Sequence, residues 1–345
     1  MKALVKYDKG PGNMEIRDIP EPVAEPGQVK IEVENTGICG SDLHIYHYDI
    51  DIPINPPVVT GHEFAGTVVA VGDGVTSCAV GDRVTSETAY SYCGTCRYCR
   101  SGFYNLCNSR RTLGYWYNGA FARYTVVPGD RIHKLPQSVS LKAGATLEPL
   151  ACVTHAAIDL TTIEPGDWAL VSGPGAIGLM ALQVARSQGA RVIVAGTSID
   201  AERLAVAREL GAEHVIDVTA EDLAALVNDL TEGRGVDVVL ECAGSPHAVD
   251  AGLRAIRKQG QFTQIGLFGK PVSIDFERIC FKELKVTGSL GSKRSSWESA
   301  IELVASGKVK TEQLVSHELP VTDWKNAFEL FENKSGLKLM LRPGE

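Results

Sequence analysis

Cys93, Cys96, Cys99 and Cys107 form a Cys-x2-Cys-x2-Cys-x7-Cys run. Thiolates this close can surround one tetrahedral metal ion, and four sulfurs close the shell to any substrate. The run therefore predicts a structural zinc site. An iron–sulfur cluster is the competing reading, but ferredoxin runs place a short spacer before the last cysteine and proline after it. Here seven residues precede Cys107 and Asn108 follows it, which favours zinc. Chemistry on a substrate must lie elsewhere.

Gly173-Pro174-Gly175-Ala176-Ile177-Gly178 is a G-x-G-x-x-G placed after an apolar strand and at the opening of a helical pattern. The first glycine allows a tight turn, the second lets backbone approach a pyrophosphate, and the third allows close packing of helix on strand. Free N–H groups of Ala176 and Ile177 and the positive end of the helix would face the anion. NAD-preferring sites carry Asp or Glu about 20 residues beyond the glycines. Ser198 stands there instead, with Thr197 before it and Arg203 after it, so these three are the candidate ribose and 2′-phosphate residues. The cofactor is read as NAD(P), with NADP slightly favoured. Asp200, just before Ala201-Glu202-Arg203-Leu204, reads as a helix N-cap, with a ribose contact as its alternative.

These residues need elements to hold them. Val29–Val33 and Phe64–Val71 are β-branched runs in a Gly- and Pro-rich first part, which reads as mainly β. From about residue 161 strands alternate with helices: strands at Trp168–Ser172, Arg191–Ala195, His214–Ile216, Val236–Leu240 and Gln261–Ile265, with helices after the glycines, up to Leu210 and over Pro246–Ala255. Such alternation predicts an α/β architecture, a doubly wound parallel sheet. Two amphipathic helices, Trp297–Ala305 and Thr322–Phe331, and a strand at Lys338–Leu341 close the pattern. At 345 residues two domains are expected, divided as 1–155, 156–288 and a returning segment 289–345.

Net charge of −8 without a basic stripe argues against nucleic acid. No apolar run approaches the roughly 20 residues that span a bilayer, and Met1–Tyr7 alternates like a strand instead of a signal peptide. Nine cysteines, several at metal-ligand spacing, suit a reducing compartment, so the expected location is cytoplasmic.

Two further segments carry metal-ligand residue types, Gly37-Ile38-Cys39-Gly40-Ser41-Asp42-Leu43-His44 and Gly61-His62-Glu63-Phe64-Ala65-Gly66. With the four-cysteine lobe, Leu147-Glu148-Pro149-Leu150 and the glycine fingerprint in that order, the chain resembles the zinc-dependent medium-chain dehydrogenases, in particular their polyol (sorbitol-type) branch, over essentially its whole length. The resemblance implies a GroES-like mainly β catalytic domain beside a Rossmann domain. It implies that Cys39, His62 and Glu63 hold a catalytic zinc, and that Glu148 binds that zinc or its water. Asp42 would orient His62 from behind. Ser41 would take the proton of the substrate alcohol and His44 would carry it to solvent. His47 and His155 stay unassigned.

The activity so implied is hydride transfer between a secondary alcohol of a polyol or sugar, or its ketone, and a nicotinamide. Glu63 and Glu148 make the site polar and anionic, which suits a polyhydroxylated ligand. Gly288-Ser289-Leu290-Gly291-Ser292 departs from the sorbitol enzymes, where an aromatic residue and an arginine usually reach the substrate. Tyr46, Tyr48, Trp116 and Tyr117 are candidate pocket aromatics, local packing being the alternative. The rival readings are a threonine-type amino alcohol dehydrogenase and a non-catalytic dinucleotide-binding protein on the same fold. By family resemblance a homo-oligomer, dimer or tetramer, is expected.

Overall fold

The computed structural model describes residues 1–49 and 53–344. Contacts divide the chain into two compact units. One joins Met1–Pro149 to Lys293–Ala305 and Lys310–Glu345; the other holds Leu150–Ser292 and Ser306–Val309.

The first unit is mainly β. Its largest sheet runs, in spatial order, Ile132–Lys134, Arg83–Ser86, Glu63–Val71, Gln28–Gly37, Lys338–Arg342 and Val315–Pro320, and Tyr124–Pro128 also pairs with Gln28–Gly37. Gln28–Gly37 is its hub. Val29, Ile31 and Val33 alternate onto a buried face and pack with Phe64, Val68, Val84, Val127 and Ile132. A second core gathers Leu4, Ile38, Leu43, Phe121, Trp324, Phe328 and Leu341, so the helix Trp324–Glu332 and the last strand complete it.

The second unit is a six-stranded all-parallel sheet: His214–Asp217, Arg191–Gly196, Trp168–Ser172, Val236–Glu241, Ile256–Gln264 and Lys285–Gly288. Trp168–Ser172 is buried at every position, as expected of a central strand covered on both faces. The chain order reverses beside it, because the strand that follows it, Arg191–Gly196, lies on one side and Val236–Glu241 on the other. This is the doubly wound arrangement expected from the sequence. Among the elements that escaped the sequence reading are helix Leu223–Leu230, which Asp222 caps by accepting from the N–H groups of Ala224 and Ala225, helix Glu277–Lys282, and the exposed edge strand Lys285–Gly288. The strand expected at Gln261–Ile265 begins earlier, at Ile256, through an irregular stretch opposite Val236–Val238.

Candidate active site and cofactor site

Strand register brings the reactive residues together. Gly37 lies opposite Glu63 on one side and opposite Met340 on the other. A side chain at Gly37 would strike the Glu63 carboxylate and approach Lys338 Cε to 2.9 Å, so only glycine leaves room there. The chain then turns at Cys39, the N-cap of helix Gly40–His47, and Asp42 folds back to accept the Cys39 N–H at 2.9 Å. Gly61, with φ of +85° and the Phe121 ring where a Cβ would stand, sets His62 and Glu63 at the head of their strand.

The donor atoms of Cys39, His62 and Glu63 all lie within 4.8 Å of one another, and His62 and Glu63 are buried. Burial alone would lower the His62 pKa, yet Asp42 and Cys39 outweigh it and push the imidazole up to about 10. His62 Nδ1 and Asp42 Oδ1 face each other at 3.7 Å, both buried and beyond direct hydrogen-bond reach. A buried anionic pocket with thiol, imidazole and carboxylate donors suits a zinc ion, which on binding replaces protons on its ligands. Glu148 lies outside this close trio, but its charge acts on His62, Tyr115 and Lys338, so it is near the site.

Two residues not singled out from the sequence complete the surroundings. Lys338, from the last strand, forms a buried ion pair with Glu63 Oε2 and donates to the Ile38 carbonyl at 2.8 Å. Burial lowers the lysine pKa, but Glu63 and Cys39 more than compensate and keep it charged. Tyr115 donates its hydroxyl to Ser41 Oγ at 2.7 Å and sets its ring edge-on to His62 at 5.3 Å. Burial, then the nearby Cys39 and Asp42, hold its pKa well above the usual value, so it remains a donor. No sequence signal marks either residue, because both act from segments distant in the chain. Ser41 and His44 share a helix but have different partners: His44 Nδ1 bonds Asp49 at 2.7 Å and faces solvent.

The remaining histidines and aromatics pack locally. His47 pairs with Glu332, and His155 bonds Asp159 at 2.9 Å. Tyr46 meets Trp324 and Phe328 edge-on, Tyr117 stacks on Tyr90 with centroids 3.9 Å apart, Arg111 covers Trp116, and Lys6 stands over Tyr48.

In the four-cysteine lobe, Sγ separations are 3.9 Å for Cys93–Cys99, 3.4 Å for Cys96–Cys99 and 3.6 Å for Cys107–Cys93. A tetrahedral Zn–S site needs about 3.8 Å between sulfurs. The N–H of Cys96 donates to Cys93 Sγ and that of Cys99 to Cys96 Sγ. Backbone N–H groups of Thr95 and Cys96 lower the Cys93 thiol to about 6, whereas burial and the neighbouring thiols push Cys99 up to about 12. Four thiolates therefore repel one another unless a dication sits among them. Tyr104 fastens the lobe to the sheet, stacking on Tyr92 and donating to the buried Glu87 at 2.5 Å.

In the second unit the glycine turn is formed as its sequence requires. Gly173 has φ of +92°, and a Cβ there would meet Ala243 at 2.8 Å. Gly178 lies so close to the Gly173 carbonyl that no side chain fits. Gly175 caps helix Ala176–Ser187 and faces open space, leaving room for a ligand to reach the N–H groups of the first turn. Beside it a cavity of about 140 Å³ is lined by Gly173, Thr197, Val218, Ala243 and Ala248, among others. Asp200 caps helix Ala201–Glu209 by position, but its carboxylate turns back to Thr197. Ser198 donates to Asp217 Oδ2 at 2.6 Å, so a carboxylate supplied by the neighbouring strand stands beside the candidate ribose residue.

Comparison with known proteins agrees with this geometry. Residues 25–137 match the alcohol dehydrogenase GroES-like domain and residues 176–306 the zinc-binding dehydrogenase domain. The chain is 46% identical to the sorbitol dehydrogenase of Halalkalibacterium halodurans, with 99% of each chain covered. It is 42% identical to the D-arabitol-phosphate dehydrogenase of Enterococcus avium, over 99% of this chain and 97% of that one. A Sinorhizobium meliloti structure described as a zinc-binding dehydrogenase bound to NADP superposes with a TM-score of 0.89 at 33% identity, covering 99% of both chains. Likeness of this depth, running through both units, means that the chain belongs to the zinc-dependent medium-chain dehydrogenase family.

Proposed function

We propose that this enzyme transfers hydride between a secondary hydroxyl of a polyol or sugar, or the matching ketone, and a nicotinamide dinucleotide. The observation that carries the reading is the buried trio Cys39, His62 and Glu63, whose donors converge within 4.8 Å in the anionic company of Asp42 and Glu148. That setting favours a hydrated, chelating substrate over an apolar alcohol. The polyol names of the two relatives support the same choice.

Zinc held by Cys39, His62 and Glu63 supplies Lewis acidity toward the hydroxyl, and the nicotinamide supplies the hydride partner. Asp42 stands behind the His62 ring at 3.7 Å and favours its charged form, and Lys338 holds Glu63 by one oxygen. Glu148 would either join the ligand set or bind a water there. Ser41 receives the substrate proton at Oγ while Tyr115 holds that oxygen in place. His44, solvent-facing and bonded to Asp49, passes the proton outward. Gly173, Gly175 and Gly178 with the N–H groups of Ala176 and Ile177 would hold the dinucleotide's pyrophosphate, and Thr197 and Ser198 would face its ribose. Thr197, Ser198 and Arg203, on which the slight sequence preference for NADP rests, each face a carboxylate, Asp200 for Thr197 and Arg203 and Asp217 for Ser198.

Cys93, Cys96, Cys99 and Cys107 hold the second, structural zinc. A second copy of the chain covers the exposed sheet edge Lys285–Gly288, where Phe276, Phe281, Val286 and Leu290 are exposed, giving the dimer or tetramer. Among the described residues no helix is long and apolar enough to cross a membrane. A cytoplasmic site follows from the thiol ligands, which need reducing surroundings.

The test is turnover of sorbitol, a polyol phosphate, fructose, threonine and simple secondary alcohols with NAD(H) and NADP(H). Polyols or ketoses are expected to be fastest. Faster turnover of threonine or of a simple alcohol overturns the substrate class, and no turnover of any favours the non-catalytic reading.

A further inference from the structure

The charge around Ser198 is the opposite of what a phosphate on the ribose requires. Thr197 gives its N–H and hydroxyl to Asp200 Oδ2 at 3.1 and 2.8 Å. Arg203 Nη1 stands 3.8 Å from Asp200 Oδ1. Ser198 gives its hydroxyl to Asp217 Oδ2 at 2.6 Å and lies equally close to Thr219 Oγ1.

Asp217 is absent from the segment that follows the glycines. It ends the neighbouring parallel strand, whose register sets it beside Gly196, so sheet pairing delivers it to Ser198. Thr219 fixes its aim by donating N–H and hydroxyl to Oδ1 at 2.9 and 2.5 Å. The Ser198 and Thr219 hydrogen bonds hold its carboxyl below the usual range, so it is ionised at neutral pH. A carboxylate oxygen accepts at two positions, which leaves Oδ2 capacity beyond the Ser198 bond. The mostly apolar cavity next to the glycine turn is bordered by Thr197, Asp200 and Val218. The Asp200 carboxylate is already engaged by Thr197, whereas Ser198 and Asp217, the immediate neighbours of Thr197 and Val218, stand at the cavity's edge, where the ribose of a heterocycle seated in it would come within reach.

We propose that Asp217 sets the cofactor specificity: it accepts the ribose 2′-hydroxyl and repels a 2′-phosphate, so the enzyme prefers NAD(H) to NADP(H). This rests on the nicotinamide reading above. Carboxylate and phosphate a few ångströms apart in a solvated cleft repel enough to change affinity by roughly tenfold or more.

The experiment is calorimetric titration of the full-length, zinc-loaded chain with NADH and with NADPH, for wild type, Asp217→Asn and Asp217→Ser, with melting temperatures recorded as a folding check. Wild type is expected to bind NADH roughly tenfold or more tightly than NADPH, and either variant to bring the two within about threefold, mainly by tightening NADPH. Two variants guard against one folding poorly. Wild-type NADPH affinity equal to or above that for NADH overturns the proposal, as does a ratio unchanged in a folded variant. Binding of neither nucleotide by wild type instead overturns the nicotinamide reading, and the proposal with it.

Discussion

The two metal clusters of the first unit draw on the same thiol chemistry and are built in contrary ways. The four-cysteine lobe takes every ligand from one stretch, Cys93 to Cys107, satisfies sulfurs with local backbone N–H groups and lies largely at the surface. The candidate reactive cluster collects Cys39 from a helix N-cap and His62 and Glu63 from the head of a strand, and buries two of the three. It then leans on Tyr115 and Lys338 from two more. A closed site needs only a folded loop, while an open site must be kept open by a fold. On the proposed reading the first contributes stability and the second chemistry.

The sharpest way to break this contrast is to remove ligands from the buried cluster. Cys39→Ser with His62→Ala is expected to lower turnover by roughly three orders of magnitude and to reduce zinc from about two to about one per chain. Metal analysis checks it, and unchanged zinc content would refute the assignment. Lys338→Met comes next. In the zinc-free chain it strands the Glu63 carboxylate in the interior and should cost about 3–5 kcal/mol of stability by denaturant unfolding. Adding Glu63→Gln should recover most of that loss; no recovery would mean that Lys338 acts through packing alone.

Cys96→Ser should lower the melting temperature by roughly 5–15 °C while the folded fraction keeps most of its specific activity. Full stability with lost activity would move the lobe into the reactive machinery. Tyr115→Phe removes the donor to Ser41 without changing bulk, so kcat should fall by about tenfold with KM nearly constant. A rise in KM alone would make Tyr115 a substrate contact instead. At the bottom of the scale, Arg191→Ala breaks the exposed Arg191–Glu213 pair, 2.6 Å apart, and should move the melting temperature by no more than about 2 °C. Set beside Lys338→Met, it measures what burial adds to an ion pair.

The same contrast explains how much the sequence disclosed. Local signals were legible: the cysteine run, the glycine turn at Gly173–Gly178 and the helix Pro246–Ala255 each carry their own residues and spacing. Fold class followed from alternating strands and helices, because a parallel sheet forces that order. What stayed hidden depends on register between distant strands. Lys338 reaches Glu63 only because the last strand pairs with Gln28–Gly37, and Asp217 reaches Ser198 only because two strand ends coincide. Tyr115 was not among the candidate aromatics, and nothing in Gly114-Tyr115-Trp116-Tyr117 distinguishes the one bonded to Ser41 from the one stacked on Tyr90. Lys285–Gly288 was passed over because an exposed edge strand, its residues mostly turned to solvent, lacks the apolar run of its neighbours.

Lys338 also imposes a schedule on synthesis. Ribosomes deliver the N-terminal part first, so Cys39, His62 and Glu63 emerge long before the strand that carries their lysine. Until Lys338–Arg342 docks beside Gln28–Gly37, Glu63 has no cationic partner and one flank of that strand lies bare. A nascent chain thus has its thiol lobe and its entire dinucleotide sheet translated while its reactive centre is still unfinished. On the proposed reading, metal captured early would be held at the lobe, whereas the ion at Cys39, His62 and Glu63 would find its completed berth only after translation has passed residue 342.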